Sequence, residues 1–162
     1  MTTFMTLFQR ISLLAFVVVL LYGYSLLPEV VGFRFNDFQQ PIEAFHKGQF
    51  FYVTAGFVVL FNLLIVLFVQ FVAQIPVRRL AIASFWTQDK AHVQATFQIL
   101  RGWANGLAGW VNALFCWFVY QFVHHNTVTY LNLDPTPYVI VGAVVLTAWM
   151  IALPLRFAVK RI

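Results

Sequence analysis

Charged residues are scarce in this sequence. Only 9% of the 162 residues are charged, whereas 62% are hydrophobic. A soluble domain usually has about 25% charged residues and could not cover so much apolar surface. The composition therefore excludes an ordinary soluble domain and favours a chain whose solvent is lipid.

Cysteine and acidic residues are also few. The single cysteine, Cys116, excludes an internal disulfide and any multi-cysteine metal or iron–sulfur site. The 5 acidic residues against 10 basic ones give a net charge of +5. Because the basic residues stand at the ends of apolar runs, the charge predicts anchoring beside membrane lipids and no nucleic-acid partner.

Four long apolar runs divide the chain. The third run, Trp103 to Val123, has no formal charge and is long enough to cross about 30 Å of hydrocarbon. We therefore predict an all-α integral membrane protein, a single membrane domain with four transmembrane helices. The predicted spans are residues 8–27, 50–73, 103–123 and 138–157.

The two longer connections have different patterns. Residues 28–49 mix charged and aromatic side chains, which predicts an ordered loop with a short extended piece and one helical turn after Pro41. In residues 88–101, Val93, Phe97 and Leu100 recur at spacings of four and three. That spacing predicts an amphipathic helix lying in the headgroup region and running into the third span.

The basic residues predict the orientation. If both termini share one side, Arg34 and Lys47 are the only basic residues on the other side. The positive-inside rule then places both termini and the amphipathic helix in the cytoplasm, with the 28–49 loop outside. The basic residues on the cytoplasmic side are Arg10, Arg78, Arg79, Lys90, Arg101, Arg156, Lys160 and Arg161.

Small and polar residues within the spans predict where helices pack. Gly102, Gly106, Gly109 and Ala113 form a small-residue face on the third run, which favours packing inside the bundle or, alternatively, self-association as a homo-oligomer. Asn62 and Asn112 lie near mid-depth and are expected to make interhelical hydrogen bonds.

Three tryptophans recur every seven residues on the third run, at Trp103, Trp110 and Trp117, and so share a face. Trp103 is placed as an interfacial anchor. Core packing or lipid contact is the default for the other two. A quinone or pigment surface is the alternative, and no other feature of the sequence favours it.

The residues that could carry chemistry are few. His46, His124 and His125 are all predicted near the outer face, where a metal site is geometrically allowed, although solvated histidines are the commoner case. No histidine falls inside a predicted span, where bound haem would need it, and no acidic or basic residue lies in the interior of one, since Arg10 and Arg156 lie at the ends of the first and fourth predicted spans. No nucleophile with a base can be assembled, so we predict a protein that is not an enzyme and has no cofactor.

The loop after the first run resembles the opening motif of a bacterial membrane domain of unknown function that also occurs in immunity proteins of the Sdp toxin system. That motif has Leu-Pro, a small aliphatic residue, then His-Phe, and closes on Gly-x-Pro. Arg34 stands where the family has histidine, and Gln39 where it has glycine. The matching residues are Leu27, Pro28, Val31, Phe35 and Pro41.

Two further segments follow the same family order. The Phe85-Trp86 pair resembles an aromatic-Trp pair after the second span, and His124 to Asn126 resembles the end of the third. The resemblance implies a bacterial inner-membrane protein that neutralises an envelope-acting toxin or has a related non-catalytic role. The missing histidine removes any ligand chemistry that depended on it.

Three functions are therefore compatible with the sequence. The first is a non-catalytic membrane protein that acts on a protein or lipid through its outer loop and helix faces. The second is an accessory subunit of a larger membrane assembly, for example a respiratory complex. The third and least supported is a transporter or redox subunit.

Overall fold

The computed structural model describes residues 2–74, 84–129, 134 and 136–159. Within these ranges it contains four helices long and apolar enough to cross a membrane. Arg78, Arg79, Lys160 and Arg161, which entered the orientation argument, lie outside the described residues. The long helices are α1 (Thr2–Leu26), α2 (Lys47–Phe71), α3 (Lys90–His124) and α4 (Thr136–Ala158).

The predicted spans agree with these helices in number and order, but their ends differ. α1 begins at Thr2 rather than residue 8, because its polar first turn is held by a hydrogen bond from the Thr2 hydroxyl to the Gln98 carbonyl. α2 begins at Lys47, inside the predicted loop, because His46 and Gln49 form a reciprocal cap at its first turn. A short 3₁₀ helix, Val72–Gln74, follows α2.

The helix predicted at residues 88–101 runs into the third span, as expected. It begins at Lys90, with Asp89 as its N-cap, and forms the first turns of α3, a single helix of 35 residues that continues through Gly102 without a break. At about 1.5 Å per residue α3 is roughly 50 Å long, so it exceeds the hydrocarbon thickness. Thr96 and Ile99 are buried on this first part of the helix, whereas the stripe residues Val93, Phe97 and Leu100 are half-buried.

The loop between α1 and α2 contains β-structure, so the chain is not entirely α-helical. Strands β1 (Val30–Gly32) and β2 (Ala44–His46) pair antiparallel, with Val31 opposite Phe45. The extended piece was predicted correctly, but the helical turn after Pro41 was wrong. Pro41 instead forms an isolated bridge with Phe35, and the chain then enters β2. We refer to β1, β2 and their connection as the hairpin, and to this end of the bundle as the hairpin end.

α3 is the central helix of the bundle. α1 runs parallel to it and packs along most of its length, whereas α2 and α4 run antiparallel to it on other sides. α1 buries a narrow stripe that includes Gln9, Phe16 and Leu20. Near the hairpin end, a cluster of buried aromatic and aliphatic side chains joins α1, α2, α3 and the hairpin. Its members are Phe16, Leu20, Leu27, Val31, Phe50, Val58, Val119, Phe122 and Val123.

Candidate functional site

The small-residue face of α3 lies against α1 and α4. A side-chain carbon added at Gly106 would meet the Trp149 ring and, at 3.1 Å, the Met5 sulfur, and one added at Gly109 would meet the Phe8 ring. At Gly102 the nearest atom, Thr2 Cα, would be an ordinary 3.6 Å away. Gly106 and Gly109 therefore let side chains of α1 and α4 approach the α3 backbone more closely than a residue with a side chain would allow. Ala113, the fourth residue of this face, is only half-buried.

The two mid-depth asparagines belong to a buried polar cluster that joins three helices. Asn62 Nδ2 donates to Asn112 Oδ1 at 2.7 Å, and Asn112 Nδ2 donates to Asn62 Oδ1 at 3.3 Å. Gln9 Nε2 donates to the same Asn62 oxygen at 3.3 Å, and Ser12 Oγ accepts from Asn112 at 3.4 Å. Because the amides satisfy one another, the cluster fixes the register of α1, α2 and α3.

Tryptophans hold α4 against the rest of the bundle. Trp103 Nε1 donates to the Trp149 carbonyl, and Trp149 Nε1 donates to the Trp103 carbonyl, both at 3.0 Å. Nearer the hairpin end, the Trp117 ring packs against Tyr138 with centroids 4.7 Å apart. Trp110 instead meets Phe8 of α1 edge-on and stays 38% exposed. The three tryptophans of α3 therefore do not share one environment.

The side chain of Asn126 joins the hairpin to the end of α3 by hydrogen bonds. Asn126 Oδ1 accepts from Gly32 N–H at 2.9 Å, and Asn126 Nδ2 donates to the Gly32 carbonyl at 3.1 Å and to the Phe122 carbonyl at 2.9 Å. Asn126 is 1% exposed, so water cannot replace these bonds. It lies in a five-residue π-helical turn, His125–Thr129, that follows α3.

The residues of the loop motif separate into buried and exposed positions. Leu27, Val31 and Phe35 are buried, whereas Pro28 and Arg34 are exposed and Pro41 is half-buried. The Arg34 carbonyl accepts from Ile42 N–H at 2.9 Å, a contact that any residue could make. The apolar positions of the motif therefore account for packing of the hairpin.

An exposed ionic cluster closes the base of the hairpin. Glu29 pairs with Lys47 Nζ at 2.9 Å and with His46 Nε2 at 3.0 Å. The hydrogen bond and charge of Lys47 lower the pKa of the Glu29 carboxyl below its usual range. His46 Nδ1 also accepts from Gly48 N–H at 3.1 Å, so its ring nitrogens are engaged in capping α2 and pairing with Glu29.

The other two candidate histidines lie at the end of α3. The His124 ring stacks on Tyr120, with centroids 6.4 Å apart, and lies 6.3 Å from the His125 ring. In the described part of the chain, no group of three or more histidine, cysteine, aspartate or glutamate side chains could hold a metal ion.

A cavity of about 680 Å³ lies at the hairpin end, between α2, α3 and α4. More than half of the residues that line it are aromatic, and two of them, Phe33 and Phe45, come from the hairpin and form its roof. The cavity opens to its surroundings between α2 and α4, where Val53 and Val139 of its lining are largely exposed. Its lining comprises Phe33, Phe45, Gln49, Phe50, Val53, Thr54, Phe57, Leu114, Phe115, Trp117, Phe118, Tyr138, Val139 and Gly142.

Thr54 is the most unusual residue of this lining. It is 6% exposed, and its hydroxyl makes no hydrogen bond to any of the described residues. Other helical threonines, such as Thr6 and Thr96, bond to a carbonyl one turn earlier. The Thr54 hydroxyl therefore lines an apolar cavity and has no hydrogen-bond partner among the described residues.

Sequence reasoning missed the cavity, Asn126 and the role of Trp149. Thr54 is visible in the sequence as a polar interruption of an apolar run, but its spacing does not reveal what it faces. A comparison of the chain with protein-family models, curated proteins and solved structures gives no match.

Proposed function

We propose that this protein is a non-catalytic integral membrane protein that binds an apolar group from the bilayer in the roofed cavity at its hairpin end. The observation that carries the proposal is the construction of the cavity from both the loop and the helices. Phe33 and Phe45 of the hairpin line the cavity together with residues of α2, α3 and α4, and both rings pack on the buried Phe122 of α3, with ring centroids 5.0 and 6.1 Å apart. The loop and the helix faces therefore contribute to one binding surface.

The size and lining of the cavity support this function. Ligand pockets typically enclose about 300–1,000 Å³ and combine an apolar wall with a few polar groups. Here the volume is about 680 Å³, and the polar groups of the lining are Gln49, Thr54 and Tyr138. A binding role also agrees with the resemblance of the loop to the immunity-related family, whose role is attributed to contacts made within the membrane.

The orientation is part of the proposal. We place the hairpin end on the outer face of a bacterial inner membrane, because the basic residues of the sequence concentrate at the opposite side. Phe38 is 84% exposed at the tip of the hairpin. A cysteine at this position should react with a membrane-impermeant thiol reagent in intact cells; labelling only after permeabilisation would contradict the orientation.

Filling the cavity tests the binding function. Gly142→Phe should place a ring in the cavity, because the nearest atom to an added Cβ is Leu114 Cδ1 at 3.8 Å. We expect lipophiles that copurify in mild detergent, detected by native mass spectrometry, to fall at least about fivefold. The matched control is Gly56→Phe on α2, where an added Cβ meets nothing within 4 Å. Equal retention of lipophiles by the two variants would overturn the proposal.

A second candidate function is supported by α4. None of its 23 residues is buried, although the helix is strongly apolar. An accessory subunit would cover such a helix with a partner helix, whereas a protein that acts alone would leave it to lipid. Purification in mild detergent separates the two functions, because an accessory subunit should retain stoichiometric partners.

A further inference from the structure

We propose that the ligand of the cavity is an uncharged lipophile that carries a flat carbonyl-bearing ring, the chemistry of a prenylquinone, and that Thr54 donates a hydrogen bond to its carbonyl oxygen. This inference rests on the proposed binding function and adds the chemical class of the ligand. It requires only reversible binding.

The first argument is charge. None of the described residues that line the cavity is ionisable near neutral pH, and the ionic cluster of Glu29, His46 and Lys47 is not part of the lining. Burial of a charged headgroup without a partner would be strongly unfavourable. The lining therefore selects a neutral group, and a phospholipid could enter only by its acyl chains.

The second argument is the shape of the walls. Aromatic rings favour offset-stacked and edge-on contacts with other rings, which an acyl chain cannot make. Phe57 and Phe115 stack with an interplanar angle of 22°, and Phe50 and Phe118 are tilted by 45°, so the aromatic rings of the lining already make both kinds of contact with one another. Walls of this kind favour a planar ring over a flexible chain.

The third argument is Thr54. Its side chain is buried, lines the cavity and lacks a hydrogen-bond partner among the described residues. Since Arg101 Nε is the only fully buried side-chain nitrogen or oxygen without a partner in the described residues, the Thr54 hydroxyl is reachable from the cavity and can donate to a ligand acceptor oxygen there. A carbonyl on a flat ring supplies the acceptor, whereas the tail of the lipophile can leave through the gap between α2 and α4.

The test compares two probes in nanodiscs of phosphatidylethanolamine and phosphatidylglycerol. Decylubiquinone carries the ring carbonyls, and decylbenzene carries a ring and the same tail without oxygen. Thr54→Val should weaken decylubiquinone binding at least about threefold, the usual effect of one lost neutral hydrogen bond, and leave decylbenzene binding unchanged. Thr54→Ser should restore decylubiquinone binding, and thermal unfolding of each variant checks that it is folded.

The outcomes separate the two proposals. Unchanged decylubiquinone binding in Thr54→Val, or equal losses for both probes, would overturn the role of Thr54. Native mass spectra that show only phospholipid, which decylubiquinone does not displace, would overturn the ligand class and leave the binding function standing. If Gly142→Phe reduces the binding of neither lipophile nor phospholipid, the binding function itself fails.

Discussion

Gly106→Leu is expected to be among the most destabilising single changes in this protein. The added Cβ alone would meet the Trp149 ring and the Met5 sulfur, before the rest of the leucine is accommodated. The tryptophan cannot move away freely, because the Trp103–Trp149 pair exchanges two hydrogen bonds. We expect a loss of about 3 kcal/mol, the upper part of the range for overpacking, measured by thermal or denaturant unfolding in detergent.

Two control variants distinguish a steric clash at Gly106 from a general effect of replacing a helical glycine on stability. Gly56→Leu adds the same side chain on α2, where an added Cβ meets nothing within 4 Å. Gly102→Ala adds a Cβ at an ordinary 3.6 Å from Thr2. Both should unfold within about 0.5 kcal/mol of the original protein, as is usual for changes without steric conflict. If Gly106→Leu is equally stable, close packing of α3 against α1 and α4 is not what Gly106 provides.

The four long helices could be predicted because composition alone forces them. A run such as Phe50–Ala73 has no other stable state in lipid than a helix, since each backbone polar group must be satisfied within the segment. The ends were less accurate because they depend on local partners. α2 begins at Lys47 because His46 caps it, and a histidine cap is uncommon enough to escape a sequence pattern.

The helix predicted at residues 88–101 continues into the third span as expected, whereas its place in the headgroup region stays a prediction. The spacing of Val93, Phe97 and Leu100 correctly indicates a helix with an apolar stripe, but it does not say what covers the stripe. In the structure Trp86 is fully buried beside this part of α3, and its carbonyl accepts from the Thr96 hydroxyl at 3.3 Å. Trp86 therefore covers the Thr96 side of this part of α3, and the stripe residues Val93, Phe97 and Leu100 stay half-buried.

Of the candidate site, too, only a part could be predicted from the sequence. Asn62 and Asn112 were singled out because amides in apolar spans need partners. In the structure Asn62 Nδ2 donates to Asn112 Oδ1 at 2.7 Å. The cavity could not be predicted, because it arises from the distance between α2 and α4, which no local pattern encodes. Its roof could not be predicted either, since β1 pairs with β2 across the long connection of residues 33–43, which has no short hairpin-turn pattern.

Asn126→Ala is expected to detach the hairpin from the bundle. Asn126 satisfies both the N–H and the carbonyl of Gly32, and all of these groups are buried. Alanine would leave the two Gly32 groups unpaired, at a cost of about 1–3 kcal/mol for each buried group. The loss should be seen as a lower unfolding temperature in detergent and as faster protease cleavage between β1 and β2.

Two other substitutions grade this effect. Asn126→Asp keeps an oxygen that can accept from Gly32 N–H but places a buried negative charge against the Gly32 and Phe122 carbonyls, so it should be at least as destabilising as Asn126→Ala. Asn105→Ala removes one bond to the Thr6 hydroxyl, at 2.8 Å, and leaves no backbone group unpaired, so its cost should be smaller.

Because Phe33 and Phe45 of the hairpin roof the cavity, Asn126→Ala should also reduce lipophile binding, and Asn105→Ala should not. A hairpin that resists protease in Asn126→Ala as well as in the original protein would show that the apolar contacts of Val31 and Phe45 hold the roof without this amide.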